Sequence, residues 1–387
     1  MLTKNINLTN FRSKKSNKKI TKLFKKLIKE DNEILNSLKK TYKNKYSKKK
    51  ISELKKFSEF VIIGIGGSIL GARSIFNFLR TKIKRNFYFK DDFENIQLNK
   101  KNFRRLNLII SKSGNTLETI SNLNTEITRN SKNIFVTENK ISDLTKIAQK
   151  LKSEIIHHNN FIGGRYSVLS EVGMLPAELM GLKVEKFRKF NFLINDKKFV
   201  GNLIQSVSST LNMIKKNKIN SIILNYDKKS NDLFLWYQQL IAESLGKKGK
   251  GILPVISNMP KDNHSLMQLY LDGTENNFFT FFFVEENLKK SIKNNHLLFS
   301  YSPYLRNKKL IDVKRSQFNA TQKVFKNKNL PFRSFVIKKR TEETLGELFV
   351  FFILETILLG RALNINPYDQ PAVELIKSET KKFLLKS

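Results

Sequence analysis

Short apolar runs that end in glycine or serine alternate along the chain with stretches of helical spacing. The run FVIIG (60–64) precedes SILGARSIFNFL, in which apolar residues recur three and four positions apart, and LNLIIS (106–111) precedes TLETISNLNTEI in the same way. KNIFVT, ISDLTKIAQKL and EIIHH continue the alternation. Because strands that alternate with helices usually pair in parallel, the pattern predicts an α/β fold with a doubly wound, mostly parallel sheet.

The same alternation restarts after a helical stretch near 168–182. SIILNY (221–226), the helix DLFLWYQQLIAESLG, GILPVIS and the Phe-rich FFTFFFVEE indicate a second α/β unit, and two long terminal helices follow at about 342–364 and 371–386. The predicted segments are a basic helical lead-in (1–57), a first α/β domain (58–190), a second α/β domain (191–340) and C-terminal helices (341–387). We expect the first ~15 residues, which are polar and Lys-rich, to fray.

Composition excludes several kinds of site. The chain has 387 residues, no Cys and 4 His, which removes disulfide scaffolds, thiolate metal sites and cysteine nucleophiles and argues against a multi-His metal site. The N-terminus carries no apolar signal segment. The longest apolar run, LFVFFILETILLG (348–360), contains Glu355 and is shorter than the ~20 residues of a membrane span. We therefore predict a buried helix there and a soluble cytoplasmic protein without a membrane partner.

The formal charge of +39 has several interpretations. A basic field attracts nucleic acids and anionic membranes, and it equally attracts a small phosphorylated substrate. Alternatively, the charge reflects a compositional bias, since Lys, Asn and Ile are abundant throughout the chain. We favour the bias because no aromatic and basic nucleic-acid module accompanies the charge. We therefore predict no specific nucleic-acid partner.

Two strand–helix junctions have the chemistry of anion-binding turns. In GIGGSILGA (64–72), successive glycines let backbone amides approach an anion at the positive end of a helix. Ile69 and Ala72 break the dinucleotide and P-loop spacings, which argues against nucleotides. SKSGNTLET places three hydroxyls around a glycine, at Ser111, Ser113 and Thr116. Hydroxyls and amides together suit a phosphate monoester, whereas a tight turn and an ordinary helix N-cap are the structural alternatives.

Six further polar residues are candidates for one shared cleft: Arg165, Gln239, Glu243, His264, Gln370 and Lys377. Two pairs lie one or two helical turns apart and therefore on one face, Gln239 with Glu243 and Gln370 with Lys377. Arg165 is a permanent cation that directly follows two glycines. Each residue taken alone is more simply a surface or capping residue. The other histidines are expected to be structural: His157, His158 and His296.

Taken together and in order, six segments resemble the glucose-6-phosphate isomerase (phosphoglucose isomerase) family, whose members contain two sugar-isomerase (SIS) domains. The segments are GIGGSILGAR, SKSGNTLET, GGRYSVLSEVG, ESLGK, HSLMQLYLDG and NPYDQPAVELIK, and they span residues 64–377. The chain also departs from the family. It is short, Asn115 stands where Thr is usual, and the lead-in matches no family segment that we can assign.

The resemblance implies an enzyme that reversibly isomerises glucose 6-phosphate and fructose 6-phosphate, in glycolysis and gluconeogenesis, without a metal or organic cofactor. It implies ring opening assisted by His264 and Lys377. Glu243 would then move a proton between C1 and C2 through a cis-enediol(ate), whose negative charge Arg165 would stabilise. The implied substrate-binding residues are Gly67, Ser68, Ser111, Lys112, Ser113 and Thr116 at the phosphate, and Gln239 and Gln370 at the sugar hydroxyls.

The resemblance also implies an assembly and leaves two alternatives. The family is dimeric, so it implies a homodimer with shared active sites, in which His264 crosses the interface and the C-terminal helices complete each site. One alternative is a bifunctional phosphoglucose and phosphomannose isomerase. The other is a non-catalytic sugar-phosphate-binding regulator. We disfavour the regulator because binding alone does not require a base, a cation and ring-opening residues together.

Overall fold

Two five-stranded sheets lie at the centre of the computed structural model, which describes residues 1–11, 17–94, 104–127, 131–285 and 300–386. The strands are β1 (Ile6–Thr9), β2 (Glu59–Ile63), β3 (Asn86–Lys90), β4 (Arg105–Ile110), β5 (Ser131–Glu138), β6 (Glu154–His158), β7 (Asn220–Asn225), β8 (Leu253–Asn258), β9 (Asn277–Val284) and β10 (Phe332–Ile337). The first sheet, in the order β3-β2-β4-β5-β6, is parallel. The second, in the order β1-β10-β9-β7-β8, is parallel except for β1. The predicted fold class is confirmed. His296, which was predicted to be structural, lies outside the described residues.

The helices follow the strands in the alternation that the sequence predicts. They are α1 (Lys18–Leu27), α2 (Glu33–Ser37), α3 (Lys48–Leu54), α4 (Leu70–Phe78), α5 (Leu117–Glu126), α6 (Asp143–Lys150), α7 (Glu171–Leu179), α8 (Phe190–Asn195), α9 (Lys197–Lys215), α10 (Asn231–Leu245), α11 (Asp262–Ser265), α12 (Met267–Asp272), α13 (Leu310–Asn327), α14 (Glu342–Ala362) and α15 (Val373–Leu384). Helix α4, which follows β2, packs against α10 of the second unit. This contact joins the two units.

The apolar runs become strands because both faces of each sheet are covered. Every residue of β2 and of β9 is buried, and β9 has the sequence NFFTFFFV. A strand that is buried on both faces has a continuous apolar run, whereas a half-exposed strand alternates apolar and polar residues. The composition of these runs therefore reflects their central places in the two sheets.

The predicted buried helix at 348–360 lies within α14, which packs against α1, α9 and α10. Glu355, the carboxylate that interrupts its apolar run, is buried and accepts hydrogen bonds from the buried Arg333 of β10. A buried charge is tolerated when it is paired and hydrogen-bonded. Across the residues that the structure describes, no helix is long and apolar enough to cross a membrane.

The expectation that the first ~15 residues fray is wrong for the part of that segment that the structure describes, residues 1–11. Strand β1 pairs antiparallel with β10, in the register Ile6 with Ile337. Ile6 and Leu8 are buried, whereas the alternate residues Asn7 and Thr9 are exposed. This half-buried pattern is that of an edge strand. Strand β1 was not predicted because it has only 4 residues and lies among many lysines. The four-segment division of the chain stays a prediction.

Candidate active site

The two glycine- and serine-containing turns meet at one edge of the first sheet. They follow β2 and β4, which are adjacent and parallel, so both turns lie beyond carboxyl ends of strands. A Cβ added to Gly64 would lie 2.8 Å from the carbonyl oxygen of Ile110 and 3.2 Å from the Cβ of Ser68. The glycine therefore permits close approach of the two turns, and Ser68 lies beside the junction.

The second turn concentrates hydroxyl groups at the start of α5. Ser111 Oγ and Thr116 Oγ1 are 2.8 Å apart, and Ser113 Oγ lies 3.4 Å from Thr116 Oγ1. Ser111 Oγ also accepts a hydrogen bond of 3.2 Å from the Gly114 amide. Lys112 Nζ lies 3.2 Å from Oε1 of Glu138, the last residue of β5. Thr116 directly precedes α5, but its side chain does not cap the helix, so the N-cap alternative does not explain its hydroxyl.

The first turn is also the surface against which the other site elements pack. A Cβ on Gly67 would lie 2.2 Å from the carbonyl carbon of Gly164 and 2.5 Å from the amide nitrogen of Arg165. Gly66 has a φ of 55°, and a Cβ there would lie 2.9 Å from Gln239 Nε2. These glycines make the tight turn that the structural alternative proposes. They also bring Arg165 and Gln239 to the same sheet edge.

Arg165 is the centre of a hydrogen-bond cluster and is only 1% exposed. Its Nη1 donates to Glu243 Oε1 and to Gln370 Oε1, both at 2.7 Å. Its Nη2 donates to the carbonyl oxygens of Pro367 at 2.8 Å and Asp369 at 3.1 Å. These acceptors fix the plane and the position of the guanidinium.

Glu243 is held from two sides and still reaches solvent. Arg165 binds Glu243 Oε1, whereas Gln239 Nε2 donates to Glu243 Oε2 at 2.9 Å. The Glu243 side chain is 23% exposed, so a ligand can reach this carboxylate. The predicted pairing of Gln239 and Glu243 on one face of α10 is confirmed, and the structure adds Gln370 from the segment before α15.

Two predicted residues are not among the hydrogen-bond partners of Arg165 and Glu243 given above. His264 is exposed on the single turn of α11, and Lys377 is exposed on α15. The hydrogen bonds described above for Arg165 and Glu243 involve neither of them. The geometry of one chain therefore places four of the six cleft candidates together, and the roles of His264 and Lys377 stay predictions.

Sequence reasoning missed two neutral residues that support Arg165. Ser244 Oγ accepts a 2.7 Å hydrogen bond from Arg165 Nε, and Tyr166 Oη lies 2.8 Å from the same Oγ and donates to Pro367 O at 2.9 Å. Burial raises the pKa of Tyr166 to about 12, which keeps its hydroxyl protonated near neutral pH. Both residues adjoin a predicted site residue in sequence, Tyr166 after Arg165 and Ser244 after Glu243, and that adjacency was the available signal.

The described residues of this site do not form a metal-binding cluster, and a cavity beside the second sheet lies at a different place in the fold. Among the described residues, no group of three or more His, Asp or Glu side chains is placed to hold a metal ion. A cavity of about 790 Å³ lies between α9, α13 and the start of β10, and none of the predicted site residues lines it. The candidate site comprises the Arg165–Glu243 cluster and the adjacent turn Ser111–Thr116, which we call the hydroxyl turn.

Two mostly parallel sheets joined in this way, together with a family model that matches nearly the whole chain, define a sugar-phosphate isomerase class of protein. Within that class, the chain belongs to the phosphoglucose isomerase family, whose model matches residues 4–386. The match includes nearly all of the lead-in, for which sequence analysis alone found no counterpart in the family.

Individual relatives agree with this assignment. The chain is 31% identical over 353 residues to a glucose-6-phosphate isomerase of Methanocaldococcus jannaschii, which covers 84% of each chain. Its fold is similar to that of a hypothetical protein from Thermus thermophilus, with a TM-score of 0.79, 22% identity and 94% of each chain covered. It is also similar to a glucose-6-phosphate isomerase from Chlamydia trachomatis, with a TM-score of 0.65, 19% identity and coverage of 87% of this chain and 71% of that one.

Proposed function

We propose that this site interconverts glucose 6-phosphate and fructose 6-phosphate as an aldose–ketose isomerase of the cytoplasm. One observation carries the proposal: the Glu243 carboxylate is held between Arg165 and Gln239 at the sheet edge that also presents the hydroxyl turn. Family membership and the glucose-6-phosphate isomerase relatives support the same reaction. The site thus pairs a proton acceptor with a fixed cation at a place suited to a phosphate.

The proposed mechanism assigns the proton transfer to Glu243. Its carboxylate removes the proton alpha to the carbonyl of the open-chain sugar and returns it to the former carbonyl carbon, while the hydroxyl proton of the first carbon passes to the former carbonyl oxygen. Such removal requires stabilisation of the enolate oxygen, and the Arg165 guanidinium provides a preorganised charge for it. Gln239 and Gln370, which contact Glu243 and Arg165, orient the sugar hydroxyls.

The substrate's phosphate binds at the turn Ser111–Thr116 in this proposal, together with the amides near Gly67, Ser68 and Lys112. Three hydroxyls and the positive end of α5 suit a dianion with several acceptor oxygens. The glycine turn lies between this position and Arg165. Binding of the phosphate would therefore set the distance from the sugar carbons to Glu243.

A coupled assay that converts fructose 6-phosphate to glucose 6-phosphate tests the reaction directly. Purified protein is expected to turn over fructose 6-phosphate, and mannose 6-phosphate run in parallel distinguishes the bifunctional alternative. Binding of either sugar phosphate without turnover would instead identify a regulator and contradict the proposal.

Replacing Ser111 and Thr116 together by alanine is expected to raise the KM for fructose 6-phosphate strongly, with a smaller change in kcat. Each lost hydrogen bond to a charged group costs about 1.5–3 kcal/mol. Steady-state kinetics and thermal unfolding measure the effect and the integrity of the fold. The matched control replaces Thr125 and Ser153, whose hydroxyls bond only nearby backbone carbonyls. An unchanged KM in the Ser111→Ala, Thr116→Ala protein would contradict the phosphate assignment.

We further propose that the protein is a homodimer with shared active sites. Helix α15 carries apolar side chains that are open to solvent in the single chain, with Leu375 73% and Ile376 71% exposed. Exposed apolar surface of this kind marks an interaction site. His264, which is exposed and outside the Arg165 cluster, would then reach the site of the other subunit, and Lys377 of α15 would lie near the interface.

Two inactive variants are expected to restore activity when they share a dimer. A heterodimer of one Glu243→Gln chain and one His264→Ala chain, isolated through two different affinity tags, has one intact site out of two if His264 acts across the interface. Turnover per dimer should then be about half that of the wild type, as two-fold symmetry requires. The two homodimeric variants are the controls. A heterodimer no more active than these controls, or a monomer by light scattering, would contradict the shared site.

A further inference from the structure

The loop before α15 supplies most of the acceptors that hold Arg165. Two carbonyl oxygens, of Pro367 and Asp369, accept from Nη2, and Gln370 Oε1 accepts from Nη1. The position of the guanidinium consequently depends on the position of this loop, which we call the 366–370 loop.

The basic lead-in reaches this loop through an ion pair. Glu30 lies in the turn between α1 and α2, and Arg361 lies in the last turn of α14. The two side chains bind each other through two hydrogen bonds, Nη1 to Oε1 and Nη2 to Oε2, both of 2.5 Å. Arg361 Nη2 also donates to Tyr368 Oη at 3.2 Å, and Asn32 Nδ2 donates to the same oxygen at 3.3 Å. We call Glu30, Asn32, Arg361 and Tyr368 the lead-in clasp.

Tyr368 connects the clasp directly to the residues around Arg165. It stands between Pro367 and Asp369, and its ring centroid lies 5.9 Å from that of Tyr166. Tyr166 in turn donates to Pro367 O. A backbone shift at Tyr368 is therefore transmitted to the adjoining residues, whose carbonyl oxygens bind Arg165.

The opposite flank of the loop has its own support. Lys247 Nζ donates to Asn366 O and to Asp369 Oδ1, both at 2.6 Å. This contact joins the loop to the segment that follows α10, the helix of Glu243. The loop is thus held on one side by Lys247, which follows α10, and on the other side by the lead-in.

We propose that Glu30 and Arg361 are positioning residues for the isomerisation, which act by holding the 366–370 loop against Arg165. This assigns a role to the lead-in, and its catalytic consequence rests on the proposed function. The clasp touches neither the hydroxyl turn nor the proposed phosphate position, so it affects the transition state far more than substrate binding. An intact clasp is accordingly required for a high kcat and not for a low KM.

Glu30→Gln and Tyr368→Phe test the clasp in the full-length protein. Both keep the size of the side chain. Glu30→Gln removes the charge and one of the two acceptors that bind Arg361, and Tyr368→Phe removes the hydroxyl that accepts from Arg361 and Asn32. We expect kcat to fall by about tenfold with little change in KM, since a displacement of about 1 Å remote from the chemistry can cost up to ~10²-fold. Hydrogen exchange of the amides in the 366–370 loop should become faster, whereas exchange in the turn Ser111–Thr116 should not change.

A second readout does not need activity. Trp236 is the sole tryptophan of the chain, and its Nε1 donates to the carbonyl oxygen of Arg165 at 3.1 Å. Its fluorescence should therefore change in both clasp variants, even if the wild type had no isomerase turnover. Absence of wild-type turnover would contradict the proposed function and leave the exchange and fluorescence results to decide on the clasp.

The matched control is Glu343→Gln, which removes an ion pair of 3.2 Å with Lys186 at the other end of α14. It should leave kcat, loop exchange and fluorescence unchanged. If Lys247 alone held the loop, both clasp variants would exchange and turn over like the wild type, and that result would overturn the proposal. Equal loss of kcat in the clasp variants and in Glu343→Gln would overturn it as well, because it would reflect a general loss of stability.

Discussion

Replacing Glu243 by glutamine is expected to lower kcat for isomerisation by about 10²–10⁴-fold, the usual contribution of general-base catalysis. Glutamine keeps the size of the side chain and can still contact Gln239 and Arg165, but it cannot accept the proton. Substrate affinity should change little, because the proposed phosphate contacts lie on the turns after β2 and β4 and not on α10. Steady-state kinetics and a binding assay with fructose 6-phosphate measure the two quantities separately.

The same variant separates proton transfer from ring opening. Exchange of the C2 proton with solvent should be lost, whereas acceleration of anomer interconversion should persist, because ring opening is assigned to His264 and Lys377. Glu178→Gln is the control, since Glu178 is a partly buried carboxylate that accepts a 3.2 Å hydrogen bond from Tyr46 outside the site. Near-normal C2 exchange in Glu243→Gln would mean that another carboxylate is the base.

Replacing Arg165 by lysine is expected to lower kcat by about 10²–10³-fold, comparable to removing one preorganised donor from an oxyanion site. The ammonium keeps the charge, but it cannot reproduce the planar fork that binds Glu243, Gln370, Ser244 and the two loop carbonyls. The 366–370 loop would lose the donors to its carbonyl oxygens and to Gln370 Oε1, so thermal unfolding should occur at a lower temperature.

The control for this substitution is Arg105→Lys. Arg105 Nε bonds Glu59 at 2.8 Å at the start of β4, the opposite end of that strand from the site. It should reduce stability without a comparable loss of kcat per folded molecule. If Arg165→Lys kept wild-type turnover, stabilisation of the intermediate would have to come from another donor.

The sequence predicted the elements of the fold better than the contacts of the site. The strands before Gly64 and Ser111 are recognisable because their apolar runs reflect burial on both faces. The one-turn spacing of Gln239 and Glu243 likewise follows from helix geometry alone. Strand β1 was missed because four residues with two apolar positions give too weak a period beside many lysines.

The meeting of Arg165 with Glu243 could not be predicted from spacing. The two residues are 78 positions apart, and they meet through tertiary packing, in which the Gly164–Arg165 backbone lies against Gly67 and Arg165 binds Ser244. A glycine in the sequence indicates that a turn is possible, but it does not show which segment will approach it. The family resemblance indicated a shared site, and the geometry of the glycine turn explains how that site is assembled.

The pairing of β1 with β10 has a consequence for synthesis of the chain. Ile6 pairs with Ile337, so the N-terminal strand leaves the ribosome long before its partner exists. At about 5–20 residues per second, the wait is on the order of 15–70 s. During that time the first sheet, whose strands all lie between residues 59 and 158, can form. In the second sheet, β1 can pair only after β10 has been synthesised. A chain shortened at its N-terminus would lack β1 and would leave β10 as an open edge that favours aggregation.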